Sequence, residues 1–220
     1  MKIAYKLTDS KMRTFKEFQW KLRKWYETAG KWSLCSSSWL HFYNDPLVGM
    51  FMNPIHANIR NPRLFRAEVE GNFIDDKGLE CGYSRAKLIE ELSVPQISPV
   101  QRVRFAILCA KEVYKGKKWN KWADNWLSGK NRTEKSAASA AYTAKSAAEN
   151  AFYTTKSAES AFYATKSAMI AFYETKSTES AFYAAKSVEI ATESTVELAF
   201  YTTESKKIDL IGIAQKAMEE

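Results

Sequence analysis

The sequence predicts an α+β protein with three parts. These are a mixed, largely antiparallel β head (residues 1–94), a two-helix junction (95–132), and an α-helical tail of ten-residue repeats with a closing helix (133–220). Three observations carry this reading. The first ninety residues alternate apolar and polar side chains in short runs broken by Gly, Pro, Asn and Asp, the period of half-buried strands. After Pro99 the apolar positions switch to helical spacing. Between Lys130 and Ile211 there is neither Gly nor Pro, and a phrase ending in Phe-Tyr recurs every ten residues.

In order, residues 1–7 form a short strand closed by the turn Thr8-Asp9-Ser10. Phe18, Trp20 and Leu22 alternate with Gln19, Lys21 and Arg23, which predicts a strand with a basic outer face. Residues 34–43 read as a further strand, and Asp45-Pro46 turns the chain into a short apolar helix over 47–52 that Asn53-Pro54 ends. Leu64, Ala67 and Val69 against Arg66, Glu68 and Glu70 mark another strand, and residues 79–92 give one or two more. Pro95 and Pro99 frame a hinge. Val103, Ala106, Ile107, Cys109, Ala110 and Val113 then share a helix face, and Trp119, Trp122, Ala123 and Trp126 share a second one that Gly129 caps. Thr133 is placed to start the repeat run, and residues 208–217 close the chain as an amphipathic helix.

The repeat places Phe152, Phe162, Phe172 and Phe182 ten residues apart, followed by Tyr153, Tyr163, Tyr173 and Tyr183, with a later Phe200. Ala, Glu and Lys favour helix. Ten residues at ~100° each fall ~80° short of three turns, so the Phe column winds around a straight helix and does not make a two-stranded coiled-coil seam. A β-solenoid is the alternative, since Thr, Ser, Phe and Tyr also suit strands. So many paired rings need burial against the chain itself, a second copy or a partner.

Charge is uneven. Residues 1–130 hold 23 Lys and Arg against 13 Asp and Glu, a net +10, and residues 131–220 hold 10 against 12, a net −2, which gives the +8 of the chain. A polyanion would meet the first part. The three cysteines are widely spaced with no CxxC, and there are two histidines, so a zinc site of usual spacing is excluded and free buried thiols are expected. No metal or cofactor is expected, no apolar run approaches a membrane span, and no signal peptide opens the sequence.

Candidate binding residues are Trp20, Lys21, Arg23, Trp25, Trp39, His41, His56 and Arg60. Rings interleaved with cations suit stacked bases and tracked phosphates, although core on one side and solvated charge on the other is the plainer account of such a strand. His41 or His56 with Cys35 or Ser36–Ser38 would make a base and a nucleophile, but nothing in the spacing demands it. Asp75-Asp76 followed by Glu80 could gather a cation, but a polar turn before Gly78 is the simpler account. No phosphate-binding glycine loop or nucleophile elbow is present.

The segments FQWKLRKWYET, WLHFYNDPL, NPIHANIRNPRLFRAEVEG, QRVRFAILCAKEVY and WNKWADNWLSGKNR resemble a family of bacteriophage proteins of unknown function, over about residues 1–132. In that family a head precedes a variable Ala-rich repeat tail. The helical part is more weakly similar to Ala-rich immunity proteins of bacteria. The resemblance implies a phage origin and a host-cytoplasm setting, and brings no catalytic residues. The expectation is therefore a non-catalytic protein that engages a host component, with counter-defence as one use, and a tail that self-packs or forms a homo-oligomer. A nucleic-acid-binding head is the alternative, and a Cys/His or Ser/His enzyme the second alternative.

Overall fold

The computed structural model describes residues 1–113, 116–133 and 208–219, and the chain divides into two units, Met1–Gln96 and Ile97–Glu220. The α+β class is what the structure shows. The repeat rings from Phe152 to Phe200, and with them the choice between helix and solenoid, lie outside the described residues.

The first unit runs β1 (Lys2–Thr8), β2 (Arg13–Thr14), a tight turn at Phe15–Glu17, β3 (Phe18–Gln19), β4 (Tyr26–Glu27), β5 (Leu40–Phe42), α1 (Pro46–His56), β6 (Arg63–Asp76) and β7 (Glu80–Leu92). All pairings are antiparallel: β1 with β6, β6 with β7, and both β4 and β5 with the far side of β7. The circuit then closes. Tyr43, just after β5, exchanges both backbone hydrogen bonds with Tyr5 of β1, at 2.8 Å each. The long β6–β7 hairpin turns at Lys77 and Gly78, both with positive φ, and Leu79 N–H donates to Asp76 O at 2.8 Å. A turn with two left-handed central residues matches the twist of the strands it joins.

Inside this curled sheet lie Ala4, Leu40, Phe42, Phe65, Ala67, Val69, Cys81, Tyr83, Ala86 and Leu88, with Trp20 inserted from the loop after β3. Removing each such side chain from water contributes ~1.5–3 kcal/mol for the larger aliphatic and aromatic members. Shifts of register between Arg66 and Ala67 and between Glu70 and Phe73 bend the hairpin enough to wrap this core. Helix α1 supplies Val48, Phe51 and Met52 to the buried set and packs on β1. Asp45 caps it, its Oδ1 accepting from Leu47 N–H at 2.8 Å and Val48 N–H at 3.1 Å.

Three boundaries differ from the sequence reading. Helix α1 runs through Asn53-Pro54 to His56. Pro54 lacks an N–H, but the next turn is closed by Ala57 N–H to Asn53 O at 3.1 Å, and the Asn53 carboxamide ties down Ile59 on both its N–H and C=O. The strand expected over residues 34–43 shortens to Leu40–Phe42. Ser36 Oγ donates to Ser33 O, and Ser38 Oγ both donates to Lys31 O and accepts from Lys31 N–H, local bonds that compete with a ladder. The strand expected around Trp20 is only Phe18–Gln19. Arg23 has φ +58 and its N–H bonds Leu88 O, so the chain turns instead of extending, and Leu22 is exposed. Cys35 is exposed, whereas Cys81 and Cys109 are buried; all three are free.

The second unit holds α2 (Pro99–Val113), α3 (Lys117–Leu127) and α4 (Leu210–Met218). Ser98 and Gln101 cap α2 reciprocally: Gln101 N–H donates to Ser98 Oγ at 3.2 Å and Ser98 N–H to Gln101 Oε1 at 2.8 Å. Gln101 also donates to Met218 O, and Arg104 donates to Leu127 O and Lys216 O. The starting turns of α2 therefore meet the carbonyl ends of α3 and α4, where a guanidinium suits the helix dipole. Trp119, Trp122, Ala123 and Trp126 are the buried stripe of α3, and Leu210, Ile213, Ala214 and Ala217 that of α4.

Candidate functional site

The two imidazoles of the chain meet on one carboxylate. His41 Nδ1 lies 3.4 Å from Glu80 Oε2, and His56 Nδ1 lies 3.8 Å from the same oxygen, too far for a hydrogen bond. His41 is carried by β5, Glu80 opens β7 and His56 ends α1. The continuation of α1 past Pro54 is thus what delivers His56. The Tyr43 ring stacks on His56 at 5.9 Å and 3°, and Gly49 of α1 is needed above that ring, since a Cβ there would sit 2.8 Å from Tyr43 Cδ2. The cluster is half-open: the His41 side chain is 31% exposed and Glu80 16%.

Electrostatics follow from burial and proximity. Burial alone would raise the Glu80 pKa, but the His41 hydrogen bond and the charges of His56, His41 and Lys6 outweigh it and hold the carboxyl lowered. His56 is lowered by burial, against the pull of Glu80 and Asp76. Burial pushes the Tyr43 phenol up, with the Glu80 and Cys81 charges adding to it. Lys6 points into the curled sheet, over Phe42 at 5.3 Å and Trp20 at 5.7 Å, and donates to His41 O at 2.6 Å. Burial brings its pKa down to about 8.

Of the hydroxyls and thiols near this constellation, Ser36, Ser38 and Cys81 are turned away from the imidazoles or held protonated. His41 Nε2 faces the Ser36 carbonyl oxygen at 3.5 Å, while the Ser36 hydroxyl is turned to Ser33 O. Ser38 Oγ bonds both backbone groups of Lys31. Cys81 is buried and pushed up to about 12 by desolvation first, with Asp75 and Glu80 adding to it. Among the described residues no group of three or more His, Cys, Asp and Glu is placed to hold a metal ion.

The other sequence-derived candidates scatter. Trp20 is buried core, its Nε1 donating to Thr14 Oγ1 at 3.2 Å. Trp39 is buried and donates to Trp32 O. Trp25 lies under two cations, with Arg85 at 4.2 Å and Lys87 at 4.8 Å from its ring. Lys21, Arg23 and Arg60 are exposed in loops. The outer sheet face is a ladder of ion pairs, Arg66–Glu90, Lys87–Glu68 and Arg85 with both Glu70 and Glu27, and Arg63 pairs with Glu91 on the Phe65 side of the strand, so these cations already have partners.

A feature that alternation did not reveal is the β2–β3 hairpin. Phe15 at its tip is 83% exposed and Phe18 38%. The hairpin is firmly built: Asp9 Oδ1 accepts from Lys11 N–H and Arg13 N–H at 2.8 Å each, Arg13 pairs with Asp9 and Glu17, and Met12, Lys16 and Glu17 all have positive φ. Phe18 heads a chain of edge-on rings through Trp20, Phe42 and Tyr83 into the core. Lys11, Lys16, Lys21, Arg23 and Lys24 surround it in sequence. The signal that could have found it is the Lys and Arg density of residues 11–24, which alternation assigns to one face of a strand.

The class these features define is a small curled α+β domain with a held-out aromatic hairpin and a shared-carboxylate histidine pair. Residues 2–99 match the model of a family described as Domain of unknown function (DUF7666). No curated protein and no solved structure matches the chain. Among the described residues, no helix is long and apolar enough to cross a membrane.

Proposed function

We propose that this chain is a non-catalytic binding protein of phage origin that engages a host protein through the β2–β3 hairpin. The carrying observation is Phe15, an aromatic side chain 83% exposed on a turn fixed by Asp9 and Arg13. A turn whose backbone is fixed before binding loses little freedom there, and buried aromatics dominate interface energy. The cations of residues 11–24 favour a target whose apolar pocket has an acidic rim. The phage setting rests on the resemblance of residues 1–132, and in that setting a component of host defence is the target of choice. The Phe-Tyr pairs of the repeat serve self-packing or oligomerisation on this reading.

The test places a photo-crosslinking side chain at Phe15 of the full chain in a bacterial host. The expected result is an adduct with one host protein that Phe18→Ser abolishes while the cooperative melt is retained. No adduct, or one that Phe18→Ser and Lys16→Glu leave unchanged, overturns the reading. A second reading, acid–base chemistry at His41, is favoured only by its contact with Glu80, and the Ser36 carbonyl against Nε2 weighs against it.

A further inference from the structure

The excess charge of residues 97–132 is larger than that of the whole first unit: nine Lys and Arg against Glu112 and Asp124 leave +7, where residues 1–96 carry fifteen against eleven, +4. Helix α3 shows what becomes of it. At ~100° per residue, Lys117, Lys121 and Asp124 share the side opposite the tryptophan stripe, and Asn125 and Lys118 lie at its flank. Lys117, Lys118 and Lys121 are exposed, and none has an ion pair among the described residues. The carboxylate on this face, Asp124, is taken by Lys111 of α2. Arg104 and Arg132 are committed to helix-end carbonyls.

Lys117 and Lys121 line an open pocket of about 620 Å³ together with Lys111, Asn120, Asp124 and Asn125. No aliphatic or aromatic residue lines it. That composition separates the partner classes. Protein interfaces centre on buried aromatic or aliphatic anchors and are depleted in lysine. Interfaces with nucleic acid are polar and strongly positive, with ammonium groups on phosphates and carboxamides able to reach phosphate, sugar or base edges.

We infer that the outer face of α3 is a nucleic-acid site, Lys117 and Lys121 contacting backbone phosphates in the pocket beside the Asn125 carboxamide, and Lys118 reaching a further phosphate from the flank of the helix. It is distinct from the hairpin and does not depend on it.

The test is fluorescence anisotropy of the full chain with labelled single-stranded DNA, single-stranded RNA and duplex DNA across a salt series. The expected result is binding whose logarithm falls with the logarithm of salt with a slope of about −2 to −3, as for about three neutralised phosphates. Lys117→Glu with Lys121→Glu should weaken it by about tenfold or more and flatten the slope by about two, one for each phosphate left without its lysine. Lys2→Glu with Lys31→Glu removes the same charge elsewhere and should change it by less than about twofold if binding is local to α3. All four positions are exposed, so the melts serve as a check that each variant folds. Three results overturn the proposal: no binding at about 50 mM salt, equal weakening in the two double variants, or capture by phosphatidylglycerol vesicles with none by nucleic acid.

Discussion

The outer face of the β6–β7 hairpin and the outer face of α3 are both rich in cations, and they treat them in opposite ways. On the hairpin, register sets Glu68 opposite Lys87, Glu70 opposite Arg85 and Arg66 opposite Glu90. On α3 Lys117 and Lys121 share a face, with Lys118 at its flank, and the acid of that face is engaged from α2. Net charge therefore says little about binding until topology shows which charges are matched. Exposed cross-strand pairs contribute ~0.2–1 kcal/mol each and hold register. Lys117, Lys118 and Lys121 have no ion pair among the described residues, and on the inference above they are the charges that meet a polyanion.

The largest test concerns the base under the α3 face. Trp126 is 2% exposed and stacks below Arg132, whose guanidinium lies 4.7 Å from its ring. Trp126→Ala should cost ~3–5 kcal/mol in urea unfolding. A cost under ~1 kcal/mol would mean that the tryptophan stripe does not fix α3, and the lysine face would then have no defined geometry to compare with the hairpin.

The next effect is on pH, at the one place in the first unit where imidazoles and a carboxylate share a half-buried site. The lowered pKa of His56 means that the unfolded chain binds this proton first, so stability falls as pH drops below ~6.5. The lowered pKa of Glu80 adds a loss at more acid pH, as the carboxyl is protonated through the carboxylate range. Lys6 acts in the alkaline window: with its pKa near 8, the unfolded chain holds this proton longer, and stability rises between about 8 and 10.5. His56→Gln should flatten the first slope and Lys6→Met the last, each read from urea midpoints across pH. An acid slope unchanged in His56→Gln would place the proton uptake elsewhere.

Those groups also mark how far the sequence could be read. Helices α2, α3 and α4 were legible because their signals are local: Pro99 with the apolar spacing after it, the Trp spacing with Gly129 at φ +76, and the amphipathic pattern of residues 208–217. Strands β6 and β7 were legible from period-two burial. The hairpin was not, because left-handed Met12, Lys16, Glu17 and Arg23 reverse an alternating run that looks extended. His41 and His56 stood out as the two imidazoles, but Glu80 read as part of a turn. Its role depends on β5 pairing Phe42 with Cys81 and on α1 outlasting Pro54, and both are settled by contacts distant in sequence.

A smaller change tests the paired face. Arg85 bonds Glu70 and Glu27 and covers Trp25, so Arg85→Ala should cost about 1 kcal/mol, at the upper end for an exposed pair because packing goes with the charge. A cost near zero would mean that the ladder is ornamental to the fold and serves only to neutralise the face.

The smallest expected effect on stability is the most informative about α3. Lys121 is exposed and has no ion pair among the described residues. Its removal takes away a like charge one turn from Lys117, a pair that costs ~0.2–0.5 kcal/mol on a helix. Alanine is also the better helix former by a few tenths of a kcal/mol, so Lys121→Ala should leave the melt within ~0.5 kcal/mol of the parent, or slightly above it. The same change should lower affinity for a labelled oligonucleotide and reduce the salt slope by about one. Stability unchanged with affinity and salt slope reduced identifies a residue kept for a partner. A destabilisation of more than ~1 kcal/mol would show that Lys121 is held by an interaction within the chain, and the contrast between the matched sheet face and the unmatched helix face would fail at that residue.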